Sequence, residues 1–221
     1  DIMPPKGNPL TKYQQELIRK WIGQGADFGS WVGATDGVDK LIRHDPAKLA
    51  KIPDFVSFFQ KFGKGKKPVD SQLVQNIRKA TGLLIRPIGR GSPLLEVRVV
   101  TLHERVNNEV VKKLLPLANW VVRLDIRGTL VTNQVGDTLA QFSSLVELNL
   151  RGCQIGDAGV AQLDGLKNLQ TLNLGMTEVG KEGVAKLLKL PALTTLNLWQ
   201  SKVGAIPASF GPVRTGLRII N

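Results

Sequence analysis

"LVELNL" (145–150), "LQTLNL" (169–174) and "LTTLNL" (193–198) decide how this chain folds. They start 24 residues apart, and "VVRLDI" (121–126) stands one period before them. A further period back lies "VRVVTL" from Val97, with the same apolar positions, and one period on lies "LRIIN" from Leu217. Six starts in arithmetic progression mark one supersecondary unit used repeatedly.

The spacing has a physical reason. In a strand, alternate side chains point to opposite faces, so the apolar residues of each hexapeptide enter a core and those between them line the other face. A tight turn follows, with Val131, Ile155, Val179 and Val203 at one position and Gly156, Gly180 and Gly204 at the next. Glycine there suits a turn with unusual backbone angles. A helical return comes next, clearest in "DAGVAQLDGL" (157–166), where Asp157 is placed to cap and Val160, Leu163 and Leu166 face inward. Its equivalents are "KEGVAKLLKL" (181–190) and, more loosely, "NNEVVKKLLPL" (107–117). In the last full unit "AIPASFGPV" (205–213) replaces the helix, and Pro207 and Pro212 fit a more extended stretch.

The L-x-x-L-x-L hexapeptide with its turn and return resembles the leucine-rich repeat. The resemblance implies an α/β solenoid, with parallel strands on a concave face and about five and a half repeats over residues 94–221. No single repeat buries its apolar face, so neighbours stabilise one another by stacking. Residues 31–93 read as a helical linker and N-terminal cap. Within them "DSQLVQNIRKATG" (70–82) predicts a helix with Asp70 or Ser71 as cap, Leu73, Val74 and Ile77 as stripe, and Gly82 as stop. "LLIRPI" and "LLEVRVV" are strand candidates around "GRGSP". "DPAKLAKIPDFVSFFQKF" (45–62) is apolar at mixed helical spacing and broken by Pro53.

Periodicity also sorts structural residues from variable ones. Cys153 shares its slot with Thr129, Thr177 and Ser201, small groups that bond backbone in a turn, so it reads as structural. Asp125, Asn149, Asn173, Asn197 and Asn221 form a ladder along the strands. The residues after each strand run His103, Arg127, Arg151, Gly175, Trp199, and an inner column runs Val99, Arg123, Glu147, Thr171, Thr195. Arginine and tryptophan are frequent interface anchors. His103, Arg123, Arg127, Arg151 and Trp199 are therefore the candidate residues for docking a protein partner on the concave face.

The formal net charge is +12. Residues 1–93 hold 16 basic and 8 acidic side chains, against 14 and 10 in residues 94–221, so the excess lies ahead of the repeats. It is densest in "KFGKGKKPVD" (61–70), where Lys61, Lys64, Lys66 and Lys67 form a basic cluster able to attract acidic partners. Nucleic acid is not the expected partner, because Phe62 is the one aromatic in that stretch and no nucleic-acid-binding motif accompanies it. "GKGKK" lacks the spacing of a phosphate loop. With two histidines, His44 and His103, far apart and one cysteine, no Ser-His-Asp, Cys-His or metal-ligand set assembles, and no catalytic residue is assigned. No apolar run reaches membrane-spanning length.

At the start, Thr11 followed by Gln14 forms a capping box, Tyr13, Leu17, Ile18, Trp21 and Ile22 make one stripe, and Gly23 and Gly25 end it. Met3 precedes Pro4 and Pro5 in a stiff loop. "MPPKGNPLTKYQQELIRKWIGQGA" resembles the end of the planctomycete-type cytochrome c domain. That resemblance, over residues 1–30, implies a c-type electron-transfer domain with Met3 as distal haem ligand, an electron-transfer partner, and a periplasmic or otherwise secreted protein. The chain lacks Cys-x-x-Cys-His, so it holds no cofactor by itself, and the resemblance implies haem c in a longer native chain of which this is the distal part. The expected function is a non-catalytic interaction module attached to, or left over from, that domain. A structural or assembly subunit with no redox role is the alternative.

Overall fold

The computed structural model describes residues 11–23, 54–89, 91–204 and 216–221. The chain divides into two compact units, residues 1–53 and 54–221. That boundary falls inside the segment 31–93 expected to link and cap.

In the first unit a helix spans Lys12–Gly23. Gln14 N–H donates to Thr11 Oγ1 at 3.3 Å and Thr11 N–H donates to Gln14 Oε1 at 2.9 Å, the reciprocal capping box expected. Tyr13, Leu17 and Ile18 are exposed. Met3 and the side chains of Trp21 and Ile22 lie outside the described residues.

Among the described residues the second unit is built on seven strands: β1 (Leu84–Pro87), β2 (Leu95–Arg98), β3 (Val121–Asp125), β4 (Glu147–Asn149), β5 (Thr171–Asn173), β6 (Thr195–Asn197) and β7 (Arg218–Ile220). They lie side by side in sequence order. β1 and β2 are antiparallel and every later pair is parallel, which makes this unit α/β. From β3 to β6 the register follows the 24-residue period: Arg123 pairs with Glu147, Glu147 with Thr171, and Thr171 with Thr195. Leu124, Leu148, Leu172 and Leu196 point to the other side and are buried. There they meet the returns, including Val111, Leu114 and Leu117, Val160, Leu163 and Leu166, and Val184, Leu187 and Leu190. One continuous core results, each fully buried Leu or Val contributing about 2 kcal/mol. The return of residues 133–139 was not legible, because it is split between a 3-10 turn at Asn133–Val135 and a one-turn helix at Gly136–Leu139.

The period fails at both ends. Val97 pairs with Leu124 and Arg98 with Asp125, so the first strand sits three residues earlier than "VRVVTL" from Val97 predicts. Leu95, Val97 and Val99 are the buried set, whereas Val100 and Leu102 are exposed. Two alternating apolar sets compete there, and the antiparallel pairing of Ile85 with Val97 selects one of them. At the other end Asn197 pairs with Ile220, so Asn221 stands outside the ladder by one residue. Pro207 and Pro212 lie outside the described residues.

Ahead of β1 the helix Ser71–Thr81 starts where Asp70 accepts a hydrogen bond from Gln72 N–H at 2.9 Å and stops at Gly82, φ +68°. Ile77 is buried, and Leu73 and Val74 pack against the repeat core. The helix Asp54–Gly63 makes a second, smaller core in which Phe59 meets Leu94, Val122 and Val146.

Two turn roles differ from expectation. Gly204 has the left-handed backbone expected, at φ +60°, but Gly156 and Gly180 have extended backbone, at φ −124° and −107°, that any residue can adopt. A left-handed position recurs four residues earlier: Gly128, Gly152, Met176 and Gln200 all have φ between 55° and 69°, as does Leu102 in the first repeat. Asp157 does not cap its own helix. Its Oδ1 accepts from Gly180 N–H of the next repeat at 2.6 Å and so ties two turns together.

Candidate functional site

The strand face opposite the core carries the inner column and the ladder. Asn149, Asn173 and Asn197 each turn Oδ1 back to accept the backbone N–H two residues on, at 3.2, 3.0 and 2.9 Å. Asp125 does the same for Arg127 N–H at 3.4 Å. Each residue thereby fixes the chain where it leaves the strand. Around β2 to β5 this face forms a shallow cavity of about 340 Å³ lined by Glu96, Arg98, Arg123, Asp125, Glu147 and their neighbours.

Most of its charge is compensated internally. Arg86 pairs with Glu96. Arg123 Nε lies 2.9 Å from Glu147 Oε1, and the guanidinium sits 4.8 Å from the Phe59 ring centroid, beneath the helix Asp54–Gly63. Arg127 grips Asp125, its Nε 2.9 Å from Oδ1, and that hydrogen bond with the carboxylate charge holds the guanidinium protonated beyond its ordinary range. Arg123 and Arg127 therefore reach a ligand only at the cost of an existing pair.

Arg151 is different. Its guanidinium lies 5.4 Å from the Trp199 ring centroid and its Nη2 3.4 Å from Met176 Sδ, and among the described residues no carboxylate pairs with it. Arg151 follows β4 and Trp199 follows β6, so the two side chains meet across the repeat between them. At the same position in the repeat between them, Gly175 lies close to its neighbours: a Cβ there would stand 3.1 Å from Trp199 O and 3.3 Å from Asn173 Oδ1. The arginine is thus held by an aromatic face and remains free to bind.

His103 does not join this column. It opens a 3-10 turn, His103–Arg105, and stands beside Gly128, because the first repeat carries extra residues between its strand and its helix. Sequence reasoning also missed an apolar rim on the turns that follow the strands: Val100, Leu102, Leu130 and Met176 are 47–58% exposed, beside Trp199 at 44%. A signal for Leu130 existed, since its slot holds Gln154, Glu178 and Lys202 in the later repeats.

The basic cluster is not four free cations. Lys66 Nζ donates to Asn119 O at 2.8 Å and to Ser144 Oγ at 3.0 Å, and Trp120 Nε1 donates to Lys67 O at 2.8 Å. These bonds strap residues 66–67 onto the repeats; the side chains of Lys61, Lys64 and Lys67 stay exposed. Cys153 is buried, its Sγ 3.2 Å from Ile126 O and 3.5 Å from Thr129 Oγ1, and burial pushes its thiol pKa up, away from nucleophile or metal-ligand chemistry.

Among the described residues no group of three or more His, Cys, Asp or Glu could hold a metal ion, and no helix is long and apolar enough to cross a membrane. Met3 lies outside the described residues. No curated protein matches the chain. The family model described as "Leucine Rich repeat" matches residues 143–163 and 165–188, the stretch that carries Arg151 and Met176. Residues 143–188 thus carry leucine-rich repeats, a class of unit that suggests protein interaction and is generally non-catalytic.

Proposed function

We propose that the chain is a non-catalytic protein-interaction module: a repeat solenoid that docks a protein partner on its open, concave strand face and the adjoining rim of turns. The observation that carries this is the Arg151–Trp199 pair, preassembled on an exposed surface with no acid paired to the arginine among the described residues. A photo-crosslinking residue at Thr171, on the open face, is the test, with one at Lys186, on a return helix, as control. In the native host the full chain is expected to give a discrete protein adduct from position 171, lost on Trp199→Ala, and none from 186. Equal adducts from both positions would overturn the assignment of the face.

The finer reading is that this module is attached to a c-type cytochrome domain of a secreted protein, with Met3 as a haem ligand and an electron-transfer partner. It rests on the resemblance of "MPPKGNPLTKYQQELIRKWIGQGA" and on nothing in the repeats. Intact mass of the native protein with a visible spectrum tests it: a mass well above 24.1 kDa with reduced c-type bands supports attachment. A mass near 24.1 kDa without haem absorbance leaves the interaction module or an assembly subunit.

A further inference from the structure

We infer that the partner presents an acidic, extended peptide segment, and that Arg151 and the amide row of β4, β5 and β6 form a subsite for its carboxylates and carbonyls. This rests on the interaction role proposed above and adds the chemistry of the ligand.

The open face has two halves of different character. From β1 to β4 three arginines have acids of their own, Arg86 with Glu96, Arg123 with Glu147 and Arg127 with Asp125, while Arg98 at the end of β2 pairs with no carboxylate among the described residues. From Asn149 to Trp199 the face is neutral apart from Arg151. In that second half hydrogen-bonding polarity is fixed by the backbone. A main-chain N–H can only donate, so the atom of Asn149, Asn173 and Asn197 that meets Arg151 N, Gly175 N and Trp199 N is the carbonyl oxygen. The amide nitrogen is the atom left over, and among the described residues none of the three has a partner for it. Successive strands are about 4.8 Å apart, so three NH₂ groups recur at that spacing beside a guanidinium that holds no acid. A surface rich in donors calls for a ligand rich in acceptors.

Other features narrow the class. A guanidinium held against an aromatic ring keeps its donor edge for bidentate contact with a carboxylate. Met176 and Trp199 offer an apolar wall to the methylenes of a glutamate side chain, which a sulfated sugar lacks. Arg151 takes one of the two indole faces on which a sugar ring could stack. From β4 to β6 the row is about 10 Å long, which an extended chain crosses in about three residues. The net charge of +12 accelerates encounter with an acidic segment without choosing the site.

The test is fluorescence anisotropy on the full chain with three labelled probes: a glutamate decamer, a glutamine decamer and a sulfated heparin octasaccharide. The glutamate decamer is expected to bind at least tenfold more tightly than the glutamine decamer. Arg151→Met is expected to weaken it about tenfold, Arg151→Lys less, and Lys186→Met on the return helix less than twofold. Asn173→Asp keeps an oxygen for Gly175 N–H, as Asp125 does for Arg127 N–H, but turns a donor into an acceptor, and it too should weaken binding about tenfold. Equal losses from Arg151→Met and Lys186→Met would reduce the effect to net charge and overturn the subsite. Tighter binding of the octasaccharide would overturn the peptide assignment. If the decamer fails to bind while the position-171 adduct still forms, the acidic inference falls and the interaction role stands; if both fail, both fall.

Discussion

Gly152→Ala and Gln200→Gly are the same perturbation run in opposite directions at one repeat position. Both residues are left-handed, Gly152 at φ +69° and Gln200 at φ +55°. An L-residue there costs roughly 1–2 kcal/mol because Cβ approaches the following carbonyl oxygen. Against this, alanine in place of glycine restricts the unfolded chain and returns about 0.4–1 kcal/mol. Space does not decide the matter, since a Cβ on Gly152 would sit 3.7 Å from Gly128 Cα, an ordinary contact. Strain therefore wins: Gly152→Ala should destabilise by about 0.5–1 kcal/mol and Gln200→Gly should stabilise by a similar amount. With an m-value of about 2 kcal/mol/M in urea, the midpoints should move down and up by about 0.3–0.5 M. Urea unfolding followed by circular dichroism reads both shifts. Hydrogen exchange at Ser201, whose N–H donates to Leu198 O, reports the second turn locally. A Gly152→Ala protein as stable as the parent, or two shifts of the same sign, would refute the assignment of strain to this column.

Lys66→Met should cost about 1–2 kcal/mol in the same assay, because its ammonium bonds Asn119 O and Ser144 Oγ, whereas exposed Lys64→Met should stay within about 0.5 kcal/mol. Leu148→Ala, at 1% exposure in the middle of the sheet, should cost about 3 kcal/mol through a cavity that both neighbouring repeats border, again read from urea midpoints. The Cys153 thiol is raised in the folded state by burial, so its contribution is complete below the ordinary thiol value and declines as pH rises through the folded one. The parent should lose stability above about pH 9 more steeply than Cys153→Thr, the residue at this slot in two other repeats, and folded protein should resist a thiol reagent at pH 8. Parallel alkaline limbs for parent and variant would contradict the buried-thiol assignment.

Much of the repeat architecture was legible because its cause is local and recurs. Leu148, Leu172 and Leu196 alternate with polar residues in one short pattern, and a fixed 24-residue return places each pattern beside the last. The helix Ser71–Thr81 was equally legible, since Asp70, the Leu73–Val74–Ile77 stripe and Gly82 act within one stretch of chain. The first strand was not. Both "LEVRV" and "VRVVTL" alternate correctly, and the choice was made by Ile85 pairing from another segment, which moved His103 off the sheet and exposed Val100 and Leu102.

The candidate site divides in the same way. Composition and period picked out Arg123, Arg127, Arg151 and Trp199, because arginine and tryptophan stand where neighbouring repeats vary. The sequence by itself thus determined the strands' order, their inward faces and the short list of surface residues, all consequences of spacing along one chain. Only the tertiary structure decided which of these cations is free. Phe59, Glu147 and Asp125 neutralise or cover two of the arginines, Lys66 is spent on a strap, and Arg151 reaches Trp199 over an intervening repeat. Partnership between side chains dozens of residues apart depends on distance in space, and stacking set those distances.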